Sequence, residues 1–299
     1  MHAWVGTSVD QVGRTLDRFF GAASAFEQTE GSRLDVTIPL SYGAHDGLEA
    51  EVDLDARIAL PRTERRWHLW LNSARNRLLT PDGLSADPNS ARASGGVAST
   101  AEEETSQRRS GLGVQALFET SDTLSSLIDV GVGFVDGFRP DIHVRWESQY
   151  QWPFTDAWHA RTRPTVFWSA HEGTGAGLTQ IFEYFWSEKR FVRSETTAYT
   201  WHQEAVNEWT HSWTLYDQVS PTRGFAYRLG AFWDDTEQGP GLRSYGPNFR
   251  WRERIYKKWL FLETDLYARA YPGSERLQSD KGVRVKLEAR FYAPDKTAP

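Results

Sequence analysis

The chain has no cysteine, and its only methionine is Met1. The lack of cysteine excludes disulfide bonds, iron–sulfur clusters, thiolate metal sites and a cysteine nucleophile. No apolar run reaches the roughly 18 residues of a membrane-spanning helix, which excludes a helical membrane protein. An excess of positive charge is also missing, because 40 Asp and Glu outnumber 34 Lys and Arg. With no basic run either, we expect no nucleic-acid partner.

Aromatic residues are abundant by contrast, making up 14% of the 299 residues and including 14 tryptophans. The mean hydropathy is low, at -0.59. A low value is compatible with a membrane β-barrel, because only alternate residues of a barrel strand meet lipid. The composition therefore leaves two classes, a soluble all-β protein and a transmembrane barrel.

One segment near the start of the chain has the period of a helix. Ser8 and Gln11 are spaced as a capping box, and apolar residues from Val9 to Phe20 then fall on one helical face. Gly21 can end such a helix. We therefore predict a short amphipathic helix in a periplasmic segment of residues 1–30. The helix can rest at the periplasmic mouth of a barrel or enter the lumen as a plug.

From Ser32 onward the hydrophobic period changes to two. The segment from Leu48 to Leu60 carries apolar residues on one face and five charged residues on the other. This alternation recurs about 14 times to the end of the chain, mostly in segments near the 9–11 residues that a tilted strand needs to cross a bilayer. The predicted strands lie near 34–40, 48–60, 67–73, 111–120, 127–136, 142–152, 158–171, 178–186, 191–201, 208–216, 224–233, 246–255, 259–271 and 283–292.

The connections between these strands favour the membrane class. Alternate connections are short, whereas the long ones, including 74–110, 234–243 and 272–281, all belong to the other set. Short periplasmic turns and long external loops are typical of an outer-membrane barrel. We predict an all-β, transmembrane antiparallel barrel of about 14 strands over residues 31–293, with a long external loop at 74–110 and a tail at 294–299.

Tryptophans cluster near the predicted strand ends, where lipid headgroups begin. Amphipathic rings favour that boundary, so we expect these residues to form two aromatic girdles against outer-membrane lipid. The predicted interface residues are Trp67, Trp146, Trp152, Trp158, Trp168, Trp186, Trp209, Trp233, Trp251 and Trp259.

Several segments resemble uncharacterised outer-membrane β-barrel proteins of proteobacteria. The resemblance lies in Arg250–Arg254, Lys258–Glu263 and Val283–Phe291, and in Asp17–Phe20 at the end of the predicted helix. It extends loosely over most of the chain. It implies an outer-membrane location and insertion by the usual assembly machinery, and it implies no activity or catalytic residue.

The polar face of the predicted strands is heavily charged and would line the lumen. Closing the barrel places basic and acidic strands side by side, so the lining is either wet or densely paired. The predicted lumen-lining charges are Asp35, Glu49, Glu51, Asp53, Asp55, Arg145, Glu147, Arg161, Arg163, Arg193, Glu195, Arg250, Arg252, Arg254, Glu263, Asp265, Arg284, Lys286, Glu288 and Arg290.

The sequence favours transport without chemistry. We expect a passive or weakly selective channel for small polar or charged solutes, with no cofactor, metal site or catalytic residue. The alternative is a plugged barrel that anchors a periplasmic or surface protein partner. A third possibility is a rim hydrolase similar to omptins. Asp141 and His143 are two apart on one strand and therefore project to the same side. They would work with Asp53 and Asp55, or with Asp234 and Asp235.

Overall fold

A computed structural model describes residues 32–43, 47–50, 52–60, 67–72, 110–121, 123–135, 139–152, 154–155, 157–170, 173–202, 206–236, 239–272 and 278–292. The predicted N-terminal helix, the loop 74–109 and the tail 294–299 lie outside these residues. In the described part of the chain, no helix is long and apolar enough to cross a membrane.

The described residues form antiparallel β-strands joined by turns. The strands are β1 (Arg33–Gly43), β2 (Gly47–Ala50), β3 (Asp53–Ala59), β4 (Trp67–Asn72), β5 (Ser110–Ser121), β6 (Leu124–Val135), β7 (Arg139–Trp152), β8 (Trp158–Ser169), β9 (Gly173–Ser187), β10 (Arg190–Trp201), β11 (Val206–Ser220), β12 (Arg223–Thr236), β13 (Gly239–Tyr256), β14 (Leu260–Tyr271) and β15 (Gln278–Tyr292).

The sheet closes on itself. From β3 to β15 each strand pairs with the next in sequence order, and β1 also pairs with β15, from Arg33 opposite Tyr292 to Gly43 opposite Gly282. β2 and β3 both pair with β1 and share one position in the wall. The barrel therefore has 14 strand positions, which confirms the predicted number, although the predicted strand 48–60 is interrupted at residues 51–52.

Proline interrupts the pairing at three places inside the wall. Because proline has no backbone N–H to donate, a proline within a strand is expected near a rim or at a bulge. Instead, Pro39 lies where β1 changes partner between β2 and β3. Pro164 and Pro247 lie where the ladders to β7 and β14 are interrupted, while each stays paired on its other side, with Leu178 and Leu229. Each proline is therefore accommodated in the middle of a strand by a local gap in the hydrogen-bonded pairing with one neighbouring strand.

The two ends of the barrel differ chiefly by one long connection. One end, here called the turn end, carries tight turns such as 188–189, 221–222 and 257–259, the last with Lys257 at φ 45°. The other end, here called the loop end, carries the long connection 73–109. The predicted long loop 234–243 is wrong, because β12 and β13 extend across it and leave only residues 237–238 between them. The register of the two strands shifts at a bulge between Phe232 and Trp233, and beyond the bulge Arg243 forms an ion pair with Asp234.

Candidate functional site: the inward face of the barrel

Exposure alternates along the strands and separates two faces. In β1 the side chains of Leu34 and Ile38 are each 39% exposed, whereas Asp35 between them is 7% exposed. The same alternation runs from Trp158 to Ser169 in β8. Because the sheet is closed, the more exposed apolar face is the outside of the barrel and the polar face is the inside. This arrangement is the reverse of a soluble protein and suits a surface surrounded by lipid.

A network of charges covers the inward face of β13–β15; we call it the seam cluster. Arg252 donates to Glu263 on β14 at 2.5 Å and, across β14, to Glu288 on β15 at 2.9 Å. Lys286 Nζ lies 2.7 Å from Glu263, and Arg250 donates to Asp265 at 2.7 Å. The full cluster is Arg250, Arg252, Glu263, Asp265, Lys286, Glu288 and Arg290.

Register explains why these charges meet. Arg250 faces Asp265, Asp265 faces Arg284, and Glu263 lies between Arg252 and Lys286 in adjacent strands. Directly opposite side chains of one face are the closest neighbours in an antiparallel sheet, so opposite charges there stabilise the pairing. Phe261 completes the cluster, because the guanidinium carbons of Arg252 and Arg290 lie 4.7 and 5.2 Å from its ring centroid.

A second ion-pair group lies on β8–β10. Glu183 accepts hydrogen bonds from Arg161 at 2.9 Å and from Arg193 at 2.5 Å, and all three side chains are buried. Arg193 also lies over the rings of Phe191 and Tyr216, at 5.6 and 5.4 Å. Two guanidinium groups on one carboxylate offset its loss of hydration.

A third group, near the loop end, is built around Trp70. The indole Nε1 of Trp70 donates to Asp129 at 2.8 Å, and its ring centroid lies 5.7 Å from that of His143. Arg145 Nη2 lies 3.6 Å from the same carboxylate. The result is an aromatic and charged patch that spans β4, β6 and β7.

Glycines in the neighbouring strands let these rings lie flat on the wall. A Cβ on Gly113 or Gly131 would stand 2.8 Å from Trp70 Cζ2. The rings of Phe167 and Tyr199 cover Gly175 and Gly177 in the same way. Only a residue without a side chain allows such close approach.

The structure places the predicted lumen charges as follows. Asp35, Arg145, Arg161, Arg163, Arg193, Arg252, Glu263, Asp265, Glu288 and Arg290 are buried, and Asp53, Asp55, Glu147, Glu195, Arg250, Arg254, Arg284 and Lys286 are partly exposed. Glu51 and the side chain of Glu49 lie outside the described part. The seam cluster brings seven of these residues together, whereas Arg161 and Arg193 belong to the separate group on β8–β10.

The predicted interface tryptophans face outward. Trp67, Trp152, Trp158, Trp186, Trp251 and Trp259 lie toward the turn end, and Trp168, Trp209 and Trp233 lie toward the loop end. Trp146 is also exposed, but it lies near the middle of β7, paired with Ile128 and Val166. The Trp152 indole donates to Thr162 at 2.8 Å, which satisfies its polar edge on the outer surface.

The residues suggested for a rim hydrolase do not converge. Asp141 and His143 are both buried and face the lumen on β7, where His143 Nε2 lies 4.0 Å from Asp129. Asp234 is on β12, five strands away in the sheet order, and accepts from Arg243. Asp53 and Asp55 are on β3, also several strands from β7.

Sequence analysis missed the inward aromatic residues. Trp70 and Trp201 are 6% and 1% exposed, and Phe167 and Phe191 are also buried. The signal was available in the alternation, since Trp70 is an odd number of residues from the outward-facing Trp67. Its neighbours on β5 and β6 cannot be read from that count, because they depend on strand pairing.

Comparison with known proteins finds similarity in fold without similarity in sequence. No family model and no curated protein sequence matches the chain. Among solved structures, the CymD monoaromatic hydrocarbon channel superposes with a TM-score of 0.55 and 9% identity, covering 94% of this chain and 98% of that one. OprB of Pseudomonas putida gives a TM-score of 0.51 and 11% identity, covering 87% and 94%.

These neighbours share the fold, and their low identity carries nothing about substrate. The closed 14-position sheet, its apolar outer face and its aromatic ends match the requirements of a lipid-embedded barrel. The chain is therefore a β-barrel protein of the bacterial outer membrane.

Proposed function

We propose that the barrel is a passive or weakly selective channel for small polar or charged solutes. The observation that carries the proposal is the direction of the inward ion pairs. The pairs of the seam cluster and of the β8–β10 group join neighbouring or next-neighbouring strands, so they run along the wall. Ion pairs that run along the wall do not bridge the lumen, so they leave it open to small polar or charged solutes.

The size of the barrel supports the same proposal. Barrels of about 8 strands are filled by their own side chains, and porins of about 16–18 strands hold an aqueous passage. Fourteen positions lie nearer the second case. The flattened rings of Trp70 and Phe167 also keep bulky side chains against the wall.

The test is conductance of the purified full chain in planar lipid bilayers. We expect discrete ohmic steps whose size scales with salt concentration. Complete absence of current, from protein shown to be folded by its heat-dependent gel mobility, would contradict the channel.

A filled barrel that anchors a protein partner is the second candidate. It is favoured by buried apolar side chains on the inward face, namely Leu127, Ile181 and Phe191, each at most 2% exposed. Apolar groups of this kind are unusual on a water-filled wall. The two candidates are separated by deleting residues 1–30. Current that appears only in the shortened chain would favour the filled barrel, and equal current in both chains would favour the open channel.

A further inference from the structure

The inward charges of β13–β15 do not balance. Seven cations and four carboxylates point into the lumen from these strands, counted along all of β14 and β15 and along β13 from Ser244 to the turn end. The cations are Arg250, Arg252, Arg254, Arg269, Arg284, Lys286 and Arg290, and the carboxylates are Glu263, Asp265, Asp280 and Glu288. This wall therefore carries a surplus of three positive charges, although the whole chain has a formal charge of -6.

The surplus is local. Among the side chains that the structure describes on β7–β10, the inward cations Arg145, Arg161, Arg163 and Arg193 are matched in number by the carboxylates Asp141, Glu147, Glu183 and Glu195. The imbalance on β13–β15 is thus absent from the described side chains of β7–β10, although Asp35 of β1 lies opposite Arg290 at the edge of this wall.

The charges of the seam cluster are also layered. The side chain of Glu263 is fully buried and that of Asp265 is 2% exposed, whereas Lys286 is 17% and Arg250 is 15% exposed. The carboxylates thus lie against the wall, and the partly exposed cations lie above them. A solute in the lumen would meet ammonium and guanidinium groups before it met a carboxylate.

Two further arginines on this wall lie outside the ion pairs of the seam cluster. Arg254 and Arg284 are partly exposed, and neither forms an ion pair within the described part of the chain. Asp265 lies opposite Arg284 in the ladder, but its carboxylate accepts from Arg250. The guanidinium group of Arg284 therefore keeps donors that no described carboxylate accepts, and its planar fork suits oxyanions.

We infer that Arg250, Arg254, Arg284 and Lys286 form an anion-binding stripe along one wall, which gives the lumen a preference for small oxyanions such as carboxylates and phosphates. The predicted preference in transport rests on the proposed channel. The predicted binding of anions rests only on the charged wall. From Arg250 to Arg254, β13 covers about 14 Å at 3.4 Å per residue. The stripe thus spans about half of the roughly 25 Å apolar band of a barrel. Charge of one sign along a confined wall raises the local concentration of the opposite ion.

Reversal potential in a KCl gradient across a planar bilayer tests the transport consequence. We expect the full chain to prefer chloride over potassium, with a preference that increases at lower salt because screening weakens. The double variant Arg254→Gln/Arg284→Gln should reduce the chloride-to-potassium permeability ratio at least about two-fold. Both side chains lack an ion-pair partner among the described residues, so their replacement leaves no carboxylate unpaired.

The matched control is Arg190→Gln/Arg223→Gln, which removes the same charge from the outer surface. Arg190 and Arg223 face outward at the turn end, where they pair with Asp217 and Glu253. We expect this variant to keep the ratio of the unaltered chain. A ratio of one or below in the unaltered chain, or an equal change in both double variants, would overturn the stripe.

Binding of inorganic phosphate to the detergent-solubilised full chain, measured by calorimetry at low ionic strength, separates this inference from the channel. Phosphate binding that is lost in Arg254→Gln/Arg284→Gln and kept in the control supports the stripe, even if no current is found and the channel fails. Current together with no phosphate binding and no anion preference overturns the stripe and leaves the channel standing.

Discussion

Glu263 is the residue whose removal should disturb the barrel most specifically. Its carboxylate is fully buried and lies 2.5 Å from Arg252, 2.7 Å from Lys286 and 3.6 Å from Arg250. The substitution Glu263→Gln keeps the shape of the side chain and one acceptor oxygen, but it removes the charge that these three cations share.

The expected loss follows from the environment of those cations. Removing one partner of a buried ion pair costs about 3–5 kcal/mol, because the other charge stays buried without compensation. Asp265 and Glu288 remain beside the cations, and the amide oxygen of glutamine still accepts a hydrogen bond. We therefore expect a loss near 3 kcal/mol, which is more than about a 100-fold change in the unfolding equilibrium.

The measurement is reversible urea unfolding in detergent micelles or lipid vesicles, followed by the fluorescence of the 14 tryptophans. The control is Glu253→Gln, which breaks the exposed outer pair with Arg223 and should have little effect, since exposed ion pairs contribute little to stability. The double variant Glu263→Met/Arg252→Met should recover part of the loss, because it removes both members of a buried pair. Equal, small effects of Glu263→Gln and Glu253→Gln would refute the argument, since they would mean that the seam cluster is fully hydrated.

Three further predictions address the wall and its outer surface. Gly113→Ala should lower the yield of folded protein in a gel-mobility assay, because the new Cβ would collide with the Val130 carbonyl oxygen and lie 2.8 Å from the Trp70 ring. Gly241→Ala, whose nearest neighbour would be 3.9 Å away, should fold normally, and equal yields would contradict this close packing. Phe182 lies in the middle of β9 and is 45% exposed, and Phe182→Arg should lower the free energy of unfolding in lipid vesicles by about 2–4 kcal/mol. The control Tyr256→Arg, at the end of β13, should lower it by only about 0–1 kcal/mol. Similar losses in both variants would mean that lipid does not cover the outer face. The purified chain should be monodisperse only in detergent when analysed by size exclusion with light scattering, and a stable monomer in plain buffer would overturn the membrane assignment.

The alternation of residue types is informative about this fold because it acts locally. Leu34, Ile38 and Leu40 alternate with polar residues, and a period of two places them on one side of any strand, whatever its neighbours. The number of strand positions and the outward face of most tryptophans follow from this pattern. The extent of β12 and β13 was misjudged, because Gly239, Pro240 and Gly241 are typical of a loop and only the pairing with β12 holds them in a strand.

The sequence by itself determined the class of the protein, the number of its strand positions and the sign of the charges on its polar face, since each depends on residues adjacent in the chain. Tertiary structure alone decided which charges meet. Arg252 and Glu288 are separated by 36 residues and come together only because β13 and β15 flank β14 in one register. Closure likewise joins β1 to β15, and it turns alternating strands into a lumen with its surplus of positive charge on one side. Strand register is set by the whole barrel, and therefore no local pattern fixes the seam cluster or the anion-binding stripe.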